Sequence, residues 1–236
     1  RSIEFEYRAP LLCKEIRSFS PDIACLEEVD YENYDRFKSF FDETEYSSVY
    51  AQKSRSKEGE CIFYKKRFEL VESIPFRHLE ENGVDIANQV SLVAVLKYCA
   101  NGEDYYIIVS AVHFRAAVFH RSTRKRQAGQ LATLLVELKK KYLDIVGGKE
   151  NKIAIVICGD FNDLPGSSVV NQLLLKKPLQ LKSAFEGIRY TLFDYVHTLF
   201  NLVAIPFKIV LDYVLYTDNL IVTKKVEEPR DEVVGD

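Results

Sequence analysis

One segment constrains the fold of this chain more than any other. Residues 153–158 form an uninterrupted apolar run that stops at the sequence Gly-Asp-Phe-Asn, residues 159–162. A short apolar run that ends in polar residues is typical of a strand buried on both faces. Such a strand needs a packed layer over each face, so the segment favours a layered domain.

The rest of the chain alternates between helix and strand patterns. Apolar spacing near 3.6 residues predicts helices, and short runs rich in Val, Ile and Tyr predict strands. The predicted helices are residues 8–19, 31–42, 126–142 and 167–174, and the predicted strands are residues 23–26, 61–64, 91–98, 105–112, 153–158 and 210–216. Residues 52–60, rich in Ser and Lys, predict a loop. The fold class is therefore expected to be α/β, of the α+β type, with a two-sheet β-sandwich flanked by helices.

Size and composition limit the classes of function. The 236 residues, 47% of them hydrophobic, suit one domain spanning residues 1–236. The formal net charge of -3 provides no overall positive field, so a polyanion would need a local basic patch. No run of about 18 apolar residues is present that could span a membrane. The five cysteines are scattered without a CxxC pair, which favours an intracellular location, most simply the cytoplasm, with an organelle left open.

The Gly-Asp-Phe-Asn segment holds the first candidate catalytic residues. Strand alternation predicts that Asp160 and Asn162 lie on the same side, at the rim of the sheet. A carboxylate can orient or deprotonate an attacking water, and a neighbouring amide can donate to a charged oxygen, as phosphoryl chemistry requires. The same residues also suit a polar turn between a strand and a helix, and both interpretations stay open here.

A second acidic cluster, Glu27, Glu28 and Asp30, follows the apolar run of residues 23–26. A glutamate at the end of a strand can supply the oxygen that Mg²⁺ requires. The alternative is that these acids are only favourable charges before the first turn of the next helix.

Two further polar residues end or interrupt apolar strands. His113 follows the strand predicted at residues 105–112, and with Arg115 it could bind a phosphate oxygen, although a lone histidine is more often structural. Asp212 lies in the last predicted strand, where a buried carboxylate needs a partner such as a histidine. A basic run suits either a phosphate backbone or the solvated start of a helix: Arg115, Arg121, Arg124, Lys125 and Arg126.

The order of these motifs resembles the endonuclease/exonuclease/phosphatase superfamily. The matching pieces, in chain order, are LEEVD, GECIFYKK, NQV, VHFRA, CGDFNDLPGS and LDYVLY. Within the superfamily, the chain looks similar to the branch that holds nocturnin, the Angel proteins and the carbon-catabolite-repressor deadenylases. The HFRA form, followed by an Arg-rich gap and by Gln127 and Gln130, looks closest to nocturnin.

The resemblance implies a sandwich with its site at one rim, and it assigns catalytic roles to matching positions. Glu28 would hold Mg²⁺, with Mn²⁺ as the alternative ion. Asp160 and Asn162 would position the nucleophile and stabilise the transition state. His113 would contact the scissile phosphate.

The remaining assignments concern the substrate and one orienting acid. Asp212 would orient a catalytic histidine near the C-terminus. Lys53, Asn88 and Arg115 would contact the substrate. Two family elements are not found, the first strand with its metal-site asparagine and the closing Ser-Asp-His, so the domain is expected to lack both. Val112 also stands in place of the usual threonine.

The apolar stretch of residues 199–210 has two interpretations. It could be a hydrophobic surface for a protein partner, or it could belong to the core. We favour the core, because exposed apolar patches of that size are uncommon.

These patterns together predict a Mg²⁺-dependent phosphoester hydrolase. Its substrate would be RNA 3′ ends, as for a poly(A) exoribonuclease or deadenylase, or an adenine nucleotide such as NADP(H), as for a 2′-phosphatase. Cleavage of 2′-5′ oligoadenylate is a third form of the same chemistry, and the metal-site residues do not separate the three. The contrasting hypothesis is a catalytically inactive RNA- or nucleotide-binding module of the same fold within a larger assembly.

Overall fold

The fold is a two-sheet sandwich with helices on its outer faces, as seen in a computed structural model that describes residues 5–41, 44–184, 191–197 and 204–225. The helices are α1 (Phe5–Ser18), α2 (Tyr31–Phe40), α3 (Arg121–Ile145) and α4 (Ser168–Leu174), with short 3-10 turns at Val118–His120 and Glu150–Lys152. The strands are β1 (Ile23–Asp30), β2 (Tyr46–Gln52), β3 (Glu58–Lys65), β4 (Glu69–Leu79), β5 (Ile86–Ala100), β6 (Glu103–His113), β7 (Ile153–Asp160), β8 (Leu181–Ser183), β9 (Leu192–His197), β10 (Ala204–Ile209) and β11 (Asp212–Thr217).

The larger sheet has six strands in the order β4-β5-β6-β7-β11-β8, and the smaller has three in the order β1-β3-β2. Within the six-stranded sheet, β6 and β7 are parallel, whereas β7 and β11 are antiparallel. Strands β9 and β10 form a separate antiparallel pair. The predicted two-sheet sandwich with flanking helices is confirmed.

Alternation along the strands divides the core into layers. Ile155 and Ile157 of β7 point towards α3, where Leu131 and Leu135 pack against them. Between the two sheets, apolar residues of β3, β5 and β6 form a second cluster that includes Ile62, Leu92, Ala94, Val109 and Ala111. A third cluster lies between the small sheet and helices α1 and α2. The site described below occupies one rim of the middle layer.

Most boundaries agree with the sequence patterns, and the differences have physical causes. The predicted loop at residues 52–60 is wrong in its last part, because β3 begins at Glu58. Strands β2, β4, β8, β9 and β10 were not predicted. In β4, an edge strand, the polar Glu72 and His78 interrupt the inward apolar face and Pro75 lies within the strand, so the usual strand pattern is broken. Helix α3 begins at Arg121 rather than at residue 126, so the Arg-rich gap forms its first turns.

The apolar stretch of residues 199–210 is only partly described. Residues 204–209 form β10, which pairs with β9, and residues 198–203 lie outside the described ranges. Its assignment to the core or to a partner surface therefore stays a prediction. Among the described residues, no helix is long and apolar enough to cross a membrane.

His78 is a buried titratable group in the layer beneath α3. Its Nε2 lies 2.8 Å from the hydroxyl of Ser91, and its ring meets the rings of Phe76 and Phe114 edge-on. Burial lowers the pKa of His78 to about 4, because the charged imidazolium would lose its hydration. The folded protein therefore holds this histidine neutral.

We expect His78 to make stability depend on pH. Folded His78 stays neutral down to about pH 4, whereas the unfolded chain protonates it near 6.5, so stability is lost as the pH falls through that window. The free energy of unfolding, measured with urea from pH 7 to pH 4, should fall by up to about 3 kcal/mol more in the wild type than in His78→Gln. If the free energy of unfolding fell equally with pH in the wild type and in His78→Gln, this prediction would be contradicted.

Candidate active site

Three adjacent strands bring three of the predicted site residues side by side. His113 at the end of β6 lies opposite Asp160 at the end of β7, and Asp160 in turn lies opposite Asp212 at the start of β11. Residues directly opposite each other in a sheet point to the same face. All three side chains therefore meet at one rim, between the two sheets.

Strand β1 of the smaller sheet supplies two glutamates to the same rim. The pairing of β1 with β3 is interrupted between Leu26 and Val29, and Glu28 in this bulge has a left-handed φ of 57°. A bulge re-aims side chains locally. Glu27 turns towards β7: a Cβ added to Gly159 would lie 2.7 Å from its Oε1 and 2.0 Å from the carbonyl oxygen of Val112. Only glycine fits there, and this lets the two sheets approach closely.

A cavity of about 320 Å³ opens beside these residues. Five of the eight sequence-predicted site residues line it, namely Glu28, Lys53, Asn88, His113 and Arg115. Glu58, Gln89, Ala116, Ala117 and His120 complete the lining. The predicted substrate-contact residues thus share one cavity with a histidine and the predicted metal ligand.

Lys53 and His113 form a buried wall of this cavity. The Nζ of Lys53 donates to the Oε2 of Glu58 at 2.9 Å and lies 3.5 Å from the Nδ1 of His113. On the other side, the same Nδ1 is 3.6 Å from the Oε1 of Glu28. Burial, and then the charge of Lys53, lowers the pKa of His113, although Glu28 opposes this. Lys53 therefore supplies the positive charge, and His113 supplies a neutral ring nitrogen.

Several carboxyl groups crowd the region between the sheets. Glu60 on β3 is fully buried, and neither of its carboxyl oxygens has a hydrogen-bond partner among the described residues. Burial raises the pKa of Glu60 to about 8, with Lys53 opposing and Glu28 adding to the rise. Burial, and then Glu60, raises the pKa of the half-buried Glu27 well above its usual range. Burial likewise raises the pKa of Asp160 to about 6.

The crowded carboxyl groups are the type of oxygen donor that a hard divalent cation binds. Clustered carboxylates that repel one another are stabilised by a bound divalent ion, and Mg²⁺ or Mn²⁺ accepts carboxylate oxygens. The unpartnered oxygens of Glu60 lie in the same electrostatic neighbourhood as Glu28 and Asp160. In the part of the chain that the structure describes, however, no three acidic, His or Cys side chains already stand in a ligating arrangement.

Asn162 lies beyond the end of β7, so strand alternation does not place it. It has a left-handed φ of 51°, and its backbone N–H donates to the Oδ1 of Asp160 at 2.6 Å. Its Nδ2 donates to the carbonyl oxygen of Phe114 at 3.1 Å. Asn162 is thus part of a turn, as the alternative interpretation held, and this turn also sits against the segment that follows His113.

A buried ion pair ties the same two segments together. Arg124 of α3 donates from Nε to the Oδ2 of Asp163 at 3.0 Å, and both side chains are buried. The Nη1 of Arg124 donates to the carbonyl oxygens of Arg115 at 3.1 Å and of Ala117 at 2.7 Å. Burial opposes ionisation of Asp163, but Arg124 outweighs it and lowers the pKa of that carboxyl. Tyr213 also donates to the backbone oxygen of Asp163 at 2.9 Å.

The ion pair changes the interpretation of the basic run. Arg124 is structural, and Arg126 bonds to the carbonyl oxygen of Leu79 at 3.2 Å. Arg121 and Lys125 are exposed, and Arg115 is half-buried in the lining of the cavity. The run therefore starts a helix, as one interpretation held, and the binding of a phosphate backbone stays a prediction.

Sequence reasoning missed several residues of this rim. Glu27 was grouped with its neighbours without a role, and Glu58, Glu60 and Asp163 were not singled out. Glu60 gave the same signal as Asp212, an acid inside an apolar strand, in the sequence Gly-Glu-Cys-Ile-Phe. The pairing of Arg124 with Asp163 left no local signal, because 39 residues separate them.

Comparisons with known proteins show the family and the fold of the chain. The model of the Endonuclease/Exonuclease/phosphatase family matches residues 6–235. The chain is 26% identical to Nocturnin of Drosophila melanogaster over 206 residues, which cover 83% of this chain and 30% of that protein. It is 28% identical over 196 residues to the CCR4-Not complex 3′-5′-exoribonuclease subunit Ccr4 of Kluyveromyces lactis, covering 72% of this chain and 25% of that protein. The chain thus spans about a quarter to a third of the length of these relatives.

Solved structures share the fold. The human Nocturnin catalytic domain with a bound sulfate superposes with a TM-score of 0.69 at 25% identity, covering 91% of this chain and 76% of that one. ANGEL2, a 2′,3′-cyclic phosphatase, superposes with a TM-score of 0.64 at 21% identity, covering 91% and 74%. The second similarity concerns the fold alone.

We expect the buried ion pair to contribute far more to stability than its exposed neighbour. Arg124→Met should lower the free energy of unfolding in urea by about 3 kcal/mol, because it leaves Asp163 buried with a poorer partner. Arg121→Met is the matched control: its guanidinium is 3.3 Å from the same carboxylate but 60% exposed, so the loss should stay below about 1 kcal/mol. The double variant Arg124→Met/Asp163→Leu should recover part of the loss. Equal losses for the two single variants would contradict this account.

Proposed function

We propose, from the premise that this chain belongs to the Endonuclease/Exonuclease/phosphatase family, that it is a divalent-metal-dependent phosphoester hydrolase. One observation carries the proposal. The register of β6, β7 and β11 sets His113, Asp160 and Asp212 together at the rim, beside the cavity that Glu28 and Lys53 line. Hydrolysis of a phosphate ester requires acids that hold a metal ion and orient water, together with donors that bind the phosphate oxygens.

Glu28 is the proposed ligand of Mg²⁺, with Mn²⁺ as a substitute, and Glu27 is positioned to assist. When bound, the ion neutralises charge on the phosphate oxygens. Asp160 orients the attacking water and accepts its proton. The pKa of Asp160, raised to about 6, leaves it mostly ionised at neutral pH while making it a better base than an exposed aspartate.

The donors around the phosphate are Lys53, His113 and Asn162. Lys53 pairs with Glu58 in this structure and offers a point charge to a phosphate oxygen. His113 donates from a neutral ring, because its pKa is lowered. An amide nitrogen carries two hydrogens, so Asn162 can hold the carbonyl of Phe114 and still donate to substrate. Asn88 accepts from the backbone N–H of Arg55 at 2.7 Å, so we propose that it shapes the substrate wall.

Asp212 has a different environment from the one expected of an acid that orients a histidine. Its backbone N–H donates to the hydroxyl of Thr191 at 3.0 Å, and its register partner is Asp160. We keep the orienting role as a proposal for the complete protein. In the described part of the chain, Asp212 acts on Asp160 by charge, as one of the groups that raise its pKa.

The proposed substrates are adenine-containing. The relatives include a 3′-5′-exoribonuclease subunit, which supports RNA 3′ ends as one candidate. An adenine nucleotide such as NADP(H) is the other candidate. The cavity of about 320 Å³ accommodates one nucleotide unit. The competing function is an inactive nucleotide-binding module, which the lack of a ready ligating arrangement among the described residues would suit.

We also propose that the protein acts inside the cell, in the cytoplasm. All five cysteines are free, and the thiols of Cys25 and Cys158 contact each other without a bond. An oxidising compartment would favour closure of such a pair. Imaging of the tagged full-length protein tests the location, and a secreted or membrane-enclosed signal would overturn it.

We expect turnover to depend on Glu28 and on a divalent ion. The full-length protein is assayed on short poly(A), 2′-5′ oligoadenylate, RNA with a 2′,3′-cyclic phosphate end, and NADPH. Glu28→Ala and EDTA should each lower kcat/KM on the preferred substrate by at least about 100-fold, because both remove the charge that stabilises the transition state. Glu81→Ala, on the exposed β4–β5 turn, is the matched control and should leave kcat/KM unchanged.

Two results would contradict the proposal. Turnover that survives both EDTA and Glu28→Ala would exclude the metal mechanism. Retained nucleotide binding without turnover of any of the four substrates, in Mg²⁺ and in Mn²⁺, would favour the inactive module.

A further inference from the structure

An exposed aromatic residue, Phe119, lies in a turn whose neighbouring residues Ala117 and His120 line the cavity. Phe119 is 94% exposed and Val118 is 84% exposed, the highest values among the large apolar residues of the described chain. They form the 3-10 turn between β6 and α3, and Ala117 before them has a left-handed φ of 74°. A single exposed apolar side chain needs no explanation, but two adjacent ones beside a polar cavity indicate a contact surface.

The turn is part of the cavity wall. Arg115, Ala116, Ala117 and His120 all line the cavity, and Phe119 lies between two of these positions. The same segment begins at His113, the proposed phosphate contact. A group seated on Phe119 would therefore lie next to a nucleotide whose phosphate occupies the site.

The turn is held in place from beneath. Arg124 donates to the carbonyl oxygens of Arg115 and Ala117, at 3.1 and 2.7 Å, and His120 N–H donates to the carbonyl oxygen of Ala117 at 3.1 Å. Gln127 accepts from the backbone N–H of Arg115 at 3.1 Å. A fixed backbone lowers the entropy cost of binding on the side chain that it carries.

The charges around the turn favour an anionic occupant. Arg115 is half-buried, the Arg121 side chain is 60% exposed, and Lys125 is exposed one turn further along α3. The chain as a whole has a net charge of -3, so this cationic group is local. A stacking surface flanked by cations is the pattern by which proteins bind single-stranded nucleic acid.

We propose that Phe119 is a base-stacking platform for the nucleotide adjacent to the one whose phosphate is cleaved. The inference rests on the proposed hydrolase function and deepens it: the substrate class is single-stranded RNA rather than a free dinucleotide. A base stacks on the Phe119 ring, Val118 extends the apolar surface, and Arg121 and Lys125 meet the backbone phosphates. NADP(H) presents one adenosine to the cavity, and its nicotinamide is joined through a 5′-5′ pyrophosphate, so it carries no second base on the 3′-5′ backbone that would lead to Phe119.

Binding of an eight-residue oligoadenylate to the full-length protein tests the platform without turnover, by fluorescence anisotropy in EDTA at low salt. Phe119→Ala should weaken oligoadenylate binding roughly five- to hundred-fold, the range for loss of one stacked base. Phe119→Trp should keep or improve it. Binding of NADPH should be the same in all three proteins. Phe19→Ala, which removes a 53% exposed phenylalanine at the end of α1, is the matched control and should change neither.

Three outcomes would overturn the platform. In the first, Phe119→Ala binds oligoadenylate as the wild type does. In the second, Phe119→Ala loses NADPH binding by the same factor as oligoadenylate binding. In the third, Phe119→Trp loses as much oligoadenylate binding as Phe119→Ala. If a protein partner required Phe119 while Phe119→Ala left oligoadenylate binding unchanged, that result would also overturn the platform.

The same proteins assayed for hydrolysis in Mg²⁺ separate this inference from the function beneath it. If oligoadenylate binding depends on Phe119 but the wild type hydrolyses nothing, the platform stands and the hydrolase proposal fails. If the wild type hydrolyses its substrate and Phe119→Ala binds oligoadenylate normally, the hydrolase proposal stands and the platform fails.

Discussion

The hydrogen-bonded register of β6, β7 and β11 is the constraint on which the site depends. The parallel pairing of β6 with β7 sets His113 against Asp160, and the antiparallel pairing of β7 with β11 sets Asp212 on the other side. A slip of one residue in either pairing would turn a side chain to the opposite face of the sheet. The apolar residues of β7 prevent that slip, because Ile155 and Ile157 must stay packed beneath α3.

A second constraint is the accumulation of buried acids where the sheets approach each other. The absence of a side chain at Gly159 lets the Glu27 carboxyl reach β7, and the oxygens of the fully buried Glu60 have no hydrogen-bond partner among the residues that the structure describes. Uncompensated carboxylates at this depth are costly, and here several raise one another's pKa. The proposed divalent cation would offset that repulsion, so the electrostatic cost in the free protein would also be the source of affinity for the ion. The nearby Lys53 compensates for part of it.

Much of this arrangement could be predicted from local sequence. Asp160 after its apolar run, the histidine that ends β6 and the acid that begins β11 each depart from the apolar pattern of their strand, and the register makes them neighbours. Glu60 interrupts the apolar pattern of β3 in the same way, but sequence reasoning did not single it out. Other features have no local signature: the polar Glu72 and His78 interrupt the inward face of β4, and Arg124 meets Asp163 only through the tertiary fold. The predicted position of Asn162 rested on strand alternation. Because β7 ends at Asp160, alternation does not extend to Asn162 and could not predict its left-handed backbone conformation.

The most direct test of the account is to locate Mn²⁺ by anomalous diffraction from crystals of the full-length protein. We predict an anomalous peak within bonding distance of a carboxylate oxygen of Glu28, on the side of the rim that faces Asp160. A protein with the register described here and no Mn²⁺ at these acids under saturating conditions would contradict the claim that the buried carboxyl cluster is a cation site.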